Sequence, residues 1–115
     1  MLNILNRNQK VFVVIYRGFL KSGTENEYKI AWKTVANYFI SHRGALGSTL
    51  HKATDGMYLA YSKWPDKKTR DASWGDNTDS NFSDEIKKAV VTLKNCLDPD
   101  REFPEIQLEV IENLF

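Results

Sequence analysis

Ala45-Leu46-Gly47-Ser48-Thr49-Leu50-His51-Lys52-Ala53, then Thr54-Asp55-Gly56, then Met57-Tyr58-Leu59-Ala60-Tyr61-Ser62-Lys63-Trp64 read as strand, turn and strand. Asp-Gly between two strand-like runs favours the primed two-residue turns, whose twist matches that of the strands they join. The pair is therefore an antiparallel hairpin, and Gly47 inside its first strand suggests a bulge or a close backbone approach. Just before the hairpin, Gly44 offers a left-handed helix stop, with His42 and Arg43 placing positive charge at the negative helix end. Just after it, Pro65 ends the second strand and opens a short helix from Asp66 to about Trp74.

Working outward, residues Val11 to Leu20 are β-branched and aromatic, with apolar side chains on both parities. That pattern marks a strand covered on two faces. Thr24 stands three residues before Glu27, the spacing of a capping box. The helix that follows carries Tyr28, Ala31, Trp32, Val35, Ala36 and Phe39 as one apolar stripe. Beyond the short helix, Gly75 to Asn81 is a polar run without apolar anchors, expected to be a mobile loop. A helix restarts near Ser83, with Asp84 and Glu85 at its positive end and the stripe Ile86, Ala89, Val90, Leu93 and Leu97. Asp98-Pro99-Asp100 should end it, and Ile106, Leu108 and Val110 alternate with Gln107 and Glu109 as a last half-exposed strand.

At 115 residues the chain has room for one core. The expected organisation is an N-terminal extension over 1–10 and a single domain over 11–115. A net charge of +1 lacks the basic excess that nucleic acid or an anionic membrane surface demands. Arg17-Gly18-Phe19 echoes an RNA-recognition motif, but sits on the first strand where that motif belongs on the third, so no nucleic-acid partner is expected. The longest apolar run, Val11 to Tyr16, is too short to span a bilayer, and the first residues show no signal-peptide pattern. No membrane association and a cytoplasmic location follow as expectations. The lone Cys96 falls on an apolar stripe and reads as packing, and the two histidines lie in different elements, so no metal site is expected.

The order β-α-β-β-α-β predicts an α+β, ferredoxin-like split βαβ fold with a four-stranded antiparallel sheet, strands 1 and 3 central and parallel-connected through right-handed crossovers. Helices cover one face of such a sheet. The first strand is apolar on both parities, so a second copy packed sheet to sheet is the simplest cover for the other face. A homodimer is expected.

These residues resemble the antibiotic biosynthesis monooxygenase domain family, the dimeric α+β barrel proteins. The resemblance rests on the hairpin with its Leu50-His51 pair, Asp55-Gly56 turn and terminal Trp64, the helix ending at Gly44 and the charged short helix after Pro65. It covers roughly residues 11 to 75 and is more specific for the fold than for a reaction. It implies a cofactor-independent monooxygenase that acts on a small aromatic phenol or quinol with O2, needing no metal or flavin. In that chemistry a phenolic proton is removed, the anion passes an electron to O2, and the radical pair recombines. By the resemblance Trp64 lies against the substrate pocket, although indole is also an ordinary packing anchor at a strand corner. His51 is a candidate proton acceptor because imidazole titrates near neutrality, or else a histidine satisfied in the sheet or at a dimer seam. Arg17 is a candidate partner for a substrate anion or for a carboxylate across the dimer. Tyr16, Tyr61 and Trp74 are candidate substrate contacts, with plain strand packing as the alternative for the tyrosines. The haem-cleaving branch of the family is not supported, since no histidine follows His51 to bind iron. The competing expectation is a non-catalytic homodimeric module that binds or senses a small aromatic compound; an accessory protein whose dimer surface serves a partner is a third.

Overall fold

The computed structural model describes residues 11–75 and 82–114. The expected extension over 1–10 and all but the first residue of the expected loop over Gly75–Asn81 lie outside the described residues. The elements run β1 (Phe12–Leu20), α1 (Glu25–His42), β2 (Gly47–Lys52), β3 (Tyr58–Trp64), α2 (Lys67–Ser73), α3 (Asp84–Cys96), β4 (Leu97–Glu102) and β5 (Ile106–Glu109). The class is α+β with an antiparallel sheet in the order β2-β3-β1-β4, and β5 also pairs with β1.

The hairpin pairs in unbroken register from Gly47 opposite Lys63 to Lys52 opposite Tyr58. No bulge forms at Gly47, and a Cβ there would meet open space. The close approach falls instead at Gly18, where a Cβ would stand 2.9 Å from Leu97 Cδ2. The turn also differs from the expected two-residue one. Ala53 N–H donates to Met57 O at 2.7 Å and Gly56 N–H to Ala53 O at 3.0 Å, so Thr54, Asp55 and Gly56 form a three-residue loop. Gly56 takes the left-handed position at φ 93°, which in such loops follows a tight turn and restores strand register.

β1 and β3 are the central pair, as expected, but they are antiparallel, from Phe12 opposite Trp64 to Gly18 opposite Tyr58. A hairpin reverses β3 relative to β2, so β2 is the strand that runs parallel to β1, with β3 between them. The sheet also has five strands among the described residues where four were expected. Asp98-Pro99-Asp100, expected as a helix terminator, lies in β4 at the sheet edge. Proline is tolerated there because an edge N–H has no ladder partner to lose. β4 and β5 share one side of β1: Leu20 faces Leu97 and Gly18 faces Glu102, while Ile15 to Phe12 face Ile106 to Glu109.

α1 stops as expected at Gly44, φ 86°. Its capping box does not form. The Thr24 hydroxyl donates back to Lys21 O at 2.7 Å, closing the preceding turn, and makes no cap bond. The other two helices are capped from their own sequence, Asp66 accepting from Thr69 N–H at 2.7 Å and Ser83 accepting from Ile86 N–H at 3.3 Å.

All three helices lie on one face of the sheet. Phe39 of α1 meets Trp64 edge to face at 6.2 Å, Arg70 of α2 reaches Tyr16, and α3 joins the core through Ile86. The buried side chains form two clusters, one around Phe12, Val14, Phe39, Trp64 and Phe82, the other around Tyr28, Tyr58 and Cys96. Cys96 is 2% exposed and acts as packing. Among the described residues no helix is long and apolar enough to cross a membrane.

Candidate functional site

Strand periodicity puts Tyr58, Ala60, Ser62 and Trp64 of β3 on the helix-bearing face. The two outer members of that row are large aromatics, and the two inner ones are small. Ser62 stands between Ser48 and Val14 in register, and Ala60 between Leu50 and Tyr16. The result is a cavity of about 270 Å³ between the two core clusters. Tyr28, Trp32, Val35, Ala36 and Phe39 of α1 wall one side, and Val90, Leu93 and Lys94 of α3 with Leu97 wall another. Trp74, at the end of α2, closes on Phe39 with ring centroids 4.7 Å apart. All three tryptophans of the chain line this space. Its size is at the lower end for a small-molecule site.

The wall is apolar except at a few points. Ser48 and Ser62 bring their hydroxyls to 3.3 Å. Lys94 contributes the wall's one ammonium group among the described residues. Trp64 is 2% exposed, and its indole Nε1–H has no hydrogen-bond partner among the described residues. An unmet buried donor costs on the order of 1–3 kcal/mol. Tyr16 is tied from behind. Arg70 Nη2 donates to the Tyr16 hydroxyl at 3.0 Å and to Glu105 Oε1 at 2.6 Å. Burial works against the Arg70 charge, but the bonds and charge of Tyr16 and Glu105 outweigh it and raise its pKa above the usual arginine value.

Of the residues singled out in the sequence, Tyr16, Trp64 and Trp74 meet at this cavity. His51, Arg17 and Tyr61 do not. Arg17 and His51 both pair with Leu59, and Tyr61 pairs with Ile15 and Thr49, which puts all of them on the opposite face of the sheet. His51 is exposed there. Arg17 lies 5.0 Å over the Phe103 ring, with its buried Nε unpartnered among the described residues. Positions 51 and 64 of this hairpin have opposite parity, so His51 and Trp64 do not share this cavity. The sequence reading missed Ser48, Ser62, Arg70 and Lys94. A signal existed for the serines: a helix-facing row of large, small, small, large leaves a hollow. None existed for Arg70, whose partners are 54 and 35 residues away. Among the described residues no group of three or more His, Cys, Asp or Glu is placed to hold a metal ion.

No family model matches the chain, and no curated protein matches it. Solved structures do. A conserved protein from Methanosarcina mazei Go1 superposes with a TM-score of 0.66 at 14% identity, over 95% of this chain and 99% of that one. A protein from Nitrosomonas europaea, described as a candidate antibiotic biosynthesis monooxygenase, gives 0.63 at 13% identity over 91% of both chains. SnoaB, a cofactor-independent oxygenase from Streptomyces nogalater, gives 0.67 at 15% identity over 92% of this chain and 97% of that one. The chain shares its fold with these proteins. Identities this low establish the fold alone. Within this fold, the cavity under α1 is where the aromatic side chains gather.

Proposed function

We propose that this protein is a cofactor-independent monooxygenase that takes a small phenol- or quinol-type aromatic and O2, acting as a homodimer. The observation that carries the reading is the aromatic-walled cavity of about 270 Å³, with Trp64, whose buried indole N–H has no partner among the described residues, in its wall. A flat, uncharged ring system matches that wall, and an oxygen on the ring matches the donor. In the reaction a phenol loses one ring C–H and its O–H. One atom of O2 becomes the new carbonyl oxygen and the other leaves as water, so the substrate itself furnishes every electron that O2 takes up. The chain binds the ring, keeps bulk water off the radical pair and steadies the phenolate as its proton leaves. Donors fixed in place before the charge develops are the effective ones in a dry site. SnoaB, of the same fold, is named for chemistry of this kind.

The test is O2 uptake by purified, metal-free protein with a panel of naphthols, anthrones and quinols. We expect turnover with at least one of them, and a fall of about a hundredfold in kcat on Trp64→Phe, the usual scale for losing one fixed donor. No uptake across the panel removes the oxygenase reading. One observation favours a second reading: among the described residues the wall has no carboxylate and no imidazole to take a proton. On that reading the protein binds or senses an aromatic compound without changing it. Saturable quenching of the tryptophan fluorescence with no product would then be the result.

The opposite face supplies the homodimer. Ile15, Leu59, Tyr61, Ile106 and Leu108 line it with no helix over them among the described residues, and sheet-to-sheet packing of two copies would bury them together.

A further inference from the structure

The Tyr16 hydroxyl accepts a hydrogen bond from Arg70, a group with no acceptor of its own. Its hydrogen therefore goes elsewhere, and no other bond of that hydroxyl occurs among the described residues. The comparison with Tyr58 is instructive, for that phenol spends its hydrogen on Glu25 at 2.7 Å. Tyr16 lines the cavity, whereas Arg70 does not. The same Nη2 of Arg70 also donates to Glu105 Oε1 at 2.6 Å, and the Arg70 side chain is 11% exposed. We infer that Glu105 and Arg70 form a clamp that fixes the Tyr16 oxygen and turns its O–H into the cavity, so the ligand presents a carbonyl or phenolate oxygen to Tyr16. The inference rests on the cavity being the aromatic site proposed above, and it deepens that reading by specifying an acceptor oxygen and the group that meets it. Arg70 is then a positioning residue. It touches no ligand, and a charged donor behind the phenol makes its O–H a stronger donor in front.

The experiment uses two bicyclic probes with the same skeleton, tetralin and α-tetralone. The ketone only accepts hydrogen bonds, and the hydrocarbon makes none. Affinity is read from quenching of the cavity tryptophans in the intact protein. In Tyr16→Phe the ratio of ketone to hydrocarbon affinity should fall about tenfold from the wild-type ratio, with tetralin binding unchanged, as expected for one neutral bond in a dry site. Arg70→Met should lower the same ratio, and Tyr16→Phe/Arg70→Met no further than Tyr16→Phe alone, because Arg70 acts through the phenol. Arg70→Lys, which keeps a charged donor, should retain most of the preference. Both probes are measured on one protein at a time, so a general loss of stability leaves the ratio unmoved. If Arg70→Met does not fold, Tyr16→Phe decides alone. An unchanged ratio in Tyr16→Phe, or an Arg70 effect that persists without the Tyr16 hydroxyl, overturns the inference while leaving the cavity as a binding site. Failure of both probes to bind the wild type overturns the cavity reading as well.

Discussion

At the scale of single residues, the sheet shows how one methylene or one hydroxyl decides what a face can do. Ala60 and Ser62 are the positions that keep the cavity open. Ala60→Leu should place its side chain in that space, so stability should hold within about 1 kcal/mol, whereas a packed core would lose more to overpacking. Aromatic quenching of the tryptophans should disappear in the same variant. Chemical denaturation and titration on one preparation check both halves. A second residue-scale device lies at the base of α1. Tyr58 donates to Glu25 at 2.7 Å, and Lys52 stands 3.5 Å from the same carboxylate oxygen. The bond to Glu25 pushes the Tyr58 pKa up to about 12. That same bond, then the Lys52 charge, holds the Glu25 carboxyl below its usual range. The raised phenol pKa means its contribution to stability is complete below the ordinary tyrosine value of about 10 and is lost as pH rises through about 12. The lowered carboxyl works in the other direction, its contribution present above the ordinary carboxylate range and lost as pH falls through the depressed value. In Glu25→Gln Tyr58 should ionise at a lower pH than in the wild type, which an ultraviolet tyrosinate titration of the two will show.

At the scale of elements, short helices depend on their ends. α2 has seven residues, too few to be stable through its own hydrogen bonds. It is held by the Asp66 cap and by Arg70 reaching into the fold. Asp66 is kept ionised below its usual pH by its bonds from Thr69, so α2 should loosen as pH falls through that depressed value. Asp66→Ala should abolish that acid dependence, measured by hydrogen exchange of α2 amides. Ser83→Ala, at the start of α3, should cost about 1 kcal/mol in urea unfolding with no pH dependence, because it removes an uncharged cap. The sequence placed the starts of both helices near these residues without reading either as a cap, since a helix start is signalled by residues within one turn of each other. The same locality explains what misled. Thr24 and Glu27 have capping-box spacing, yet the Thr24 hydroxyl found Lys21 O first. Asp98-Pro99-Asp100 looks like punctuation, and becomes an edge strand because β1 has an open ladder beside Leu20. The element order and the pairing of the hairpin follow from patterns of a few residues. The site does not, since Arg70, Tyr16 and Glu105 meet only after the sheet has formed and no spacing announces them.

At the scale of the whole molecule, both faces of the sheet carry apolar side chains, and among the described residues the helices pack on one of them. The helix-bearing face is closed over Phe12, Val14 and Trp64, all under a tenth exposed. On the other face Val13 is 2% exposed, but Ile15, Leu59 and Tyr61 stay half-buried, and Leu108 at the edge is 42% exposed. Burying that surface between two copies gains about 25 cal/mol per Å² of apolar area, offset by the ordering that association demands. Arg17 sharpens the case. Its buried Nε has no partner among the described residues, so an acceptor from a second copy would satisfy a donor that the single chain leaves unmet. Leu108 is the position to test, because it is exposed in the single chain and in register with Val13 at the edge of that face. Leu108→Arg should leave the fold intact while setting a charge, beside Lys63 in the same row, against its counterpart across the dimer. Sedimentation at micromolar concentration should then give a dimer for the wild type and a single subunit for the variant, with matching circular dichroism. A wild-type chain that stays single and soluble would mean that this face tolerates water, and the homodimer would have to be abandoned while the cavity on the other face stood unaffected.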